Sequence, residues 1–237
     1  MLIAVLASLL VAPGVSAQVC AGFAALDDTR FRVSTGTAVY RYANAHSVSV
    51  AAGRTAWLGA RFTLVDDDDL DATAYVGALE VGADVGREGR GYLICPLAGA
   101  SYSIVPVGTL MLFDGMGMEH ISAEAGIGLA GNGTRLAGMR VHPVASLRIT
   151  RVWWRLMERR IGETYTRRTD YLHYIAGAGI GFVIGDRLTV RPGVTVPFGK
   201  VVTDMILPFG RENNEIALEL SVGFNFGSRR SPTGADR

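Results

Sequence analysis

In the stretch NNEIALELSVGFNF, residues 213 to 226, every second side chain is apolar, and this alternation constrains the fold more than any other feature. Ile216, Leu218, Leu220, Val222, Phe224 and Phe226 share one face of an extended chain, while Glu215, Ala217, Glu219, Ser221, Gly223 and Asn225 share the other. Successive side chains of a strand point to opposite sides, so a period of two marks a strand whose two faces meet different surroundings. An amphipathic helix needs a period of about 3.6 residues and is excluded here.

The same pattern recurs. In RLTVRPGVTVPFGK, from Arg187, the residues Leu188, Val190, Val194, Val196 and Phe198 oppose Arg187, Thr189, Arg191, Gly193 and Thr195. In YLHYIAGAGIGFVI, from Tyr171, seven residues from Leu172 to Ile184 oppose Tyr171, His173 and three glycines. In RVHPVASLRIT, Val141, Ala145, Leu147 and Ile149 oppose Arg140, His142, Ser146 and Arg148. Further strands are expected at residues 30 to 42, 46 to 58, 72 to 85, 91 to 105 and 119 to 130. Such lengths match the ~9 to 11 residues of a tilted strand that crosses a bilayer. They exceed the ~5 to 6 residues usual in soluble proteins.

Turn signals of two kinds separate these strands. Ala43-Asn44-Ala45, GREGR from Gly86, Asn132-Gly133 and Gly185-Asp186 are short; LVDDDDLD from Leu64, residues 106 to 118, RLMERRIGETYTRR from Arg155 and residues 200 to 213 are longer and polar. Short and long connections alternate in outer-membrane barrels. Aromatic residues near strand ends are candidates for interfacial girdles: Trp57, Tyr92, Tyr102, Trp153, Trp154, Phe198, Phe224 and Phe226. The chain resembles the small outer-membrane barrel proteins of Gram-negative-type bacteria, the OmpA-like and OmpX-like group, over residues 30 to 226. The best-matched element is the last strand, IALELSVGFNF. The resemblance implies that the barrel-assembly machinery recognises that strand and its final Phe226, although an eleven-residue tail, GSRRSPTGADR, follows here.

The expected fold is therefore all-β, an antiparallel up-and-down transmembrane β-barrel of about ten strands, with eight as the alternative. Residues 1 to 17, MLIAVLASLLVAPGVSA, read as a cleaved signal peptide with a small-residue Val15-Ser16-Ala17 site. Residues 18 to 29 form an N-terminal segment with a possible short first strand, and 227 to 237 a polar tail. Beyond residue 17 no apolar run reaches the ~20 residues of a membrane-spanning helix. With 23 basic and 22 acidic residues the chain carries no nucleic-acid footprint.

If the apolar faces meet lipid, the other faces line a lumen. Glu80, Asp84, Glu124, Glu215 and Glu219 fall there with Arg32, Arg140, Arg148, Arg187 and Arg191. Unpaired buried charge is costly, so these residues are expected to form an ion network plugging the interior. The expected role is structural or surface-interacting, in a monomer in contact with outer-membrane lipid and lipopolysaccharide. Arginines 159, 160, 167 and 168 are placed to meet lipopolysaccharide phosphates.

Two other functions stay open: a lipid A-modifying acyl hydrolase barrel and a secreted soluble barrel for a small apolar ligand. HISAEAGIGLAGNG distantly resembles the lipid A deacylase barrels, whose His-x-Ser-Asn motif is altered here by Ala123. His120, Ser122 and Glu124 share a strand face, but such neighbours lie about 7 Å apart, too far for a catalytic relay. No catalytic residue is therefore assigned. GIGLAG, Gly126 to Gly131, lacks the helix and acidic residue a dinucleotide site needs. Asp66 to Asp69 lack the spacing of a calcium loop, and His46, His142 and His173 lack ligand spacing, so neither metal nor cofactor is expected. With nine strands legible and both ends periplasmic, as the resemblance implies, residues 19 to 27 are expected to add a tenth. That strand would bring Cys20 to the rim where Cys95 points inward, and a disulfide there is expected; two unpaired thiols are the alternative.

Overall fold

The computed structural model describes residues 19–20, 23–24, 31–41, 43–53, 56–67, 72–83, 85–86, 92–105, 116–131, 133–160, 163–185, 187–198 and 216–226. The signal segment, the tail, Asp84, Glu215, Asp68 and Asp69 lie outside them.

Ten strands form the barrel: β1 (Phe31–Val39), β2 (Ala43–Gly53), β3 (Ala56–Asp67), β4 (Ala72–Ala83), β5 (Tyr92–Val105), β6 (Met116–Gly131), β7 (Met139–Arg160), β8 (Glu163–Ile184), β9 (Leu188–Phe198) and β10 (Ala217–Phe226). Each pairs antiparallel with the next, and β10 returns to β1 with Phe226 opposite Phe31, so the sheet closes. Closure removes every free edge. Among the described residues there is no helix. We call the end holding Phe31 and Phe226 the lower end.

The alternation sorts the side chains. Along β10, Ala217, Glu219, Ser221, Gly223 and Asn225 face inward, while Leu218, Leu220, Val222, Phe224 and Phe226 face out. The outward apolar side chains are bare: Leu218 is 66% exposed, Leu79 61% and Leu58 58%. A soluble monomer rarely exposes a continuous apolar patch above a few hundred Å², and this one circles the molecule.

Two sequence expectations are corrected. The tenth strand is β3, which the segment 46 to 58 and the acidic loop from Leu64 had hidden. Gly53 takes φ 133°, a conformation open to glycine, and turns the chain before Ala56. Ala43 to Ala45 thus lie inside β2, and Asp66 and Asp67 end β3. Val19–Cys20 and Phe23–Ala24 pair only with each other, in a ladder separate from the barrel and close to β5 and β6. The second correction concerns residues 155 to 160 and 163 to 168, which are strand rather than loop: β7 and β8 pair without interruption from Met139↔Ile184 to Arg160↔Glu163. Above the outward apolar stretch, charged and apolar residues mix at alternate positions of β7, so no clean alternation announces the strand there.

The barrel is consequently lopsided. β7 and β8 have 22 residues each, whereas β1 has 9 and β2 has 11. The outward apolar run of β7 ends at Ile149, and Arg151 to Arg160 continue above it.

Candidate functional site in the lumen

In the lower lumen large buried side chains lie against glycines. Trp57 of β3 stands opposite Gly82 of β4, and a Cβ at Gly82 would lie 2.6 Å from the indole. His142 of β7 stands opposite Gly181 of β8, where a Cβ would come 2.5 Å from Nε2. Arg32 of β1 crosses Gly223 of β10 in the same way. Without the glycines these side chains could not lie flat across the tube. Arg32, His142, Thr189 and Asn225 are almost wholly buried, and Ala51, Trp57 and Cys95 pack together. Trp57 therefore points into the lower lumen and does not belong to an aromatic girdle. Tyr102, Trp153, Phe198, Phe224 and Phe226 do face outward and are exposed; the side chains of Tyr92 and Trp154 lie outside the description.

Above this layer sit three ion pairs. Arg61 Nη2 lies 2.9 Å from Glu80 Oε1, Arg148 Nη1 3.5 Å from Glu124 Oε2, and Arg191 Nη2 3.7 Å from Glu219 Oε2. Again the walls are small: Glu80 stands between Gly59 and Gly99, and a Cβ at Gly126 would meet Arg148 at 3.0 Å. Glu80 is 2% exposed, and removing one partner of a buried pair costs about 3–5 kcal/mol.

Of the ten charges expected in the lumen, the structure groups Glu80, Glu124, Glu219, Arg148 and Arg191 in this layer and Arg32 in the layer below. Arg140 lies at the lower mouth, and Arg187 is exposed in the β8–β9 turn. Arg61 was missed because β3 was missed; its signal was position 61 between inward Gly59 and Thr63.

The upper lumen is lined by small hydroxyl side chains around a cavity of about 300 Å³ whose wall includes Ser47, Thr63, Ser101, Ser122, Ser146 and Thr195. Ser34 and Ser49 hydroxyls are 2.6 Å apart, and those of Ser101 and Ser122 2.7 Å. His120, Ser122 and Glu124 all border this space, yet Ser122 is bonded to Ser101 and Glu124 faces Arg148. The arrangement thus divides the trio between two different partnerships instead of assembling a relay. His46 points outward, 3.2 Å from Thr37 Oγ1, while His142 is buried in the lower lumen, so these two do not converge. Asp66 accepts a hydrogen bond from Thr73 at 2.8 Å across the β3–β4 hairpin.

The outer wall changes character high on β7 and β8. Arg151 donates to Asp170 at 2.7 Å, and its guanidinium lies 5.3 Å from the centre of the Trp153 ring. Arg155 pairs with Glu119.

No family model matches the sequence, and no curated protein matches it. Solved structures do. The translocator domain of the autotransporter NalP from Neisseria meningitidis aligns with TM-score 0.50 and 13% identity over 84% of this chain and 89% of that one. The outer membrane protease OmpT of Escherichia coli aligns at 0.40 and 10% identity, covering 84% and 94%. The N-terminal barrel domain of Pseudomonas aeruginosa OprF aligns at 0.37 and 13% identity, covering 83% and 96%. Closure, an inward polar face and an outward apolar one, together with the NalP likeness, make this chain a ten-stranded barrel with the fold of the outer-membrane β-barrels.

Proposed function

We infer that the protein resides in the outer membrane of a Gram-negative-type bacterium and serves as a structural or surface-interacting body, not as an open pore. The observation that carries the second half of this reading is the lower plug, in which Arg32, Trp57 and His142 lie across Gly223, Gly82 and Gly181. Tube width supports it too, since interiors of about eight strands are just filled by side chains and aqueous channels come at about 16. The bare apolar wall favours lipid over the soluble-barrel alternative.

Export rests on the signal segment 1 to 17, and assembly on the terminal strand ending at Phe226, the partner surface for the barrel-assembly machinery. One copy closes its own sheet and needs no second copy to cover an edge. Outer-membrane lipid and lipopolysaccharide surround it. We also pair Cys20 with Cys95: Cys95 points into the plug, no cysteine among the described residues is a free thiol, and the Val19–Cys20 strand runs close to β5 and β6. Such a loop closure contributes about 4 kcal/mol in the chain-entropy model. Two thiols reactive without reductant would remove the pairing.

The deciding experiment reconstitutes the purified protein in planar bilayers, after checking that unboiled protein migrates faster than boiled protein. The expected result is a heat-dependent shift with no steady conductance. A stable ohmic conductance would overturn the sealed reading, and absence of the shift would overturn the membrane reading.

A further inference from the structure

The inward positions of the upper lumen repeat one chemistry on strands far apart in the chain. Ser47 of β2, Thr63 of β3, Ser101 of β5, Ser122 of β6, Ser146 of β7 and Thr195 of β9 all border the cavity. A hydroxyl has one hydrogen to donate and two lone pairs that accept. Where two of them pair, as Ser101 and Ser122 do at 2.7 Å, only one hydrogen is used, so the pair keeps a donor and lone pairs for a third group. The carboxylate and guanidinium side chains on the same wall are already matched: Arg61 with Glu80, Arg148 with Glu124 and Arg191 with Glu219. A charged guest would compete with one of these pairs. An apolar guest would displace water from the hydroxyls without replacing its hydrogen bonds, and buried polar groups left unpaired are penalised.

One part of this wall is bare backbone. Gly179 of β8 and Gly193 of β9 stand directly opposite each other, and both border the cavity. The three atoms nearest to a Cβ at Gly193 are all backbone, whereas Gly82, Gly181 and Gly223 lower down each lie beneath a large side chain. Glycine inside a strand often marks a place where a ligand or another chain approaches the backbone closely. Val144 stands beside the patch.

We propose that the upper lumen is a binding site for a small neutral carbohydrate, with its hydroxyls bonded to the serine and threonine wall and one C–H face of its ring on the Gly179–Gly193 patch. A sugar hydroxyl both donates and accepts, as this wall does, and an uncharged ring leaves the three ion pairs intact. The cavity, about 300 Å³, lies at the lower bound of small-ligand pockets, which restricts the guest to small sugars. The site goes beyond the structural reading above and holds whichever end of the tube faces outward.

The test applies saturation-transfer NMR titration to the full folded protein in dodecylphosphocholine micelles, which carry no sugar headgroup. Glucose, galactose and N-acetylglucosamine are the probes, with glucuronate as the charged comparison and cyclohexanol as the apolar one. At least one of the neutral sugars is expected to bind saturably and more tightly than either comparison. A Thr63→Val/Thr195→Val double variant, which keeps side-chain shape and removes two hydroxyls, should bind that sugar about tenfold more weakly, as the loss of two hydrogen bonds requires. Thr73→Val removes a hydroxyl bonded to Asp66 outside the cavity and should bind it like the unaltered protein. Absence of saturable binding by every neutral sugar would leave the cavity to water and overturn the proposal. Tighter binding of glucuronate or cyclohexanol would overturn the ligand class, and equal sugar binding by the double variant would overturn the site. Should that variant fail to fold, Ser146→Ala carries the same comparison. Heat-dependent migration in each sample separates failure of this site from failure of the membrane reading.

Discussion

The two halves of the lumen are built by the same ten strands with opposite choices of side chain. In the lower half, the large inward residues Trp57, Arg32 and His142 are buried against glycines. In the upper half the inward residues are mostly serine, threonine and small apolar groups, and a cavity remains. Each of these large side chains lies against a neighbour that has none. Glycine here works as a recess in the wall.

That contrast can be broken from several directions. Trp57→Ala should have the largest effect, because truncating a buried tryptophan costs about 3–5 kcal/mol. It should also admit ion current in planar bilayers, whereas an unchanged current would place the seal elsewhere. Leu220→Arg, at the height of the ion pairs but on the outside, should cost about 2–4 kcal/mol near the bilayer midplane. Its inward neighbour Ser221→Asn should assemble normally, and equal folding yields for the two would invert the assignment of faces. Gly82→Val fills the recess beneath Trp57 and should cost about 1–3 kcal/mol as overpacking, visible as a shifted tryptophan emission together with a lower urea midpoint. Smallest is Ser101→Ala in the upper half. It removes one hydroxyl pair beside a cavity, worth about 0.5–1.5 kcal/mol, and a larger loss would show that the upper half is packed too.

Much of the fold could be read from the sequence where a strand separates an apolar outer wall from a polar lumen. β9 and β10 have polar or glycine inward faces and apolar outward ones, so alternation alone delimits them. β3 was illegible because Trp57 and Val65 point inward, which blurs the period of two, and because its turn is made by Gly53 without a Pro or Asn beside it. The upper parts of β7 and β8 were read as loop because charged and apolar residues mix at alternate positions there, as in Arg151, Val152, Trp153 and Arg155, and leave no period of two. In the lumen, the charges on legible strands could be named, but their partners could not. Arg61 lay on the missing strand, and the recess of Gly82 under Trp57 exists only once register sets β3 against β4.

The seam between β1 and β10 has a kinetic meaning. Every other strand pair joins neighbours along the chain, so each can form as a local hairpin. The seam joins Phe31 to Phe226 and Val39 to Leu218, the most distant pairing in the molecule, and loop-closure entropy delays such contacts. It should therefore zip last, and Arg32 crosses this joint onto Gly223. The contact of Arg32 with Gly223 is thus set in place by the final event of folding, so a barrel caught before closure would lack it.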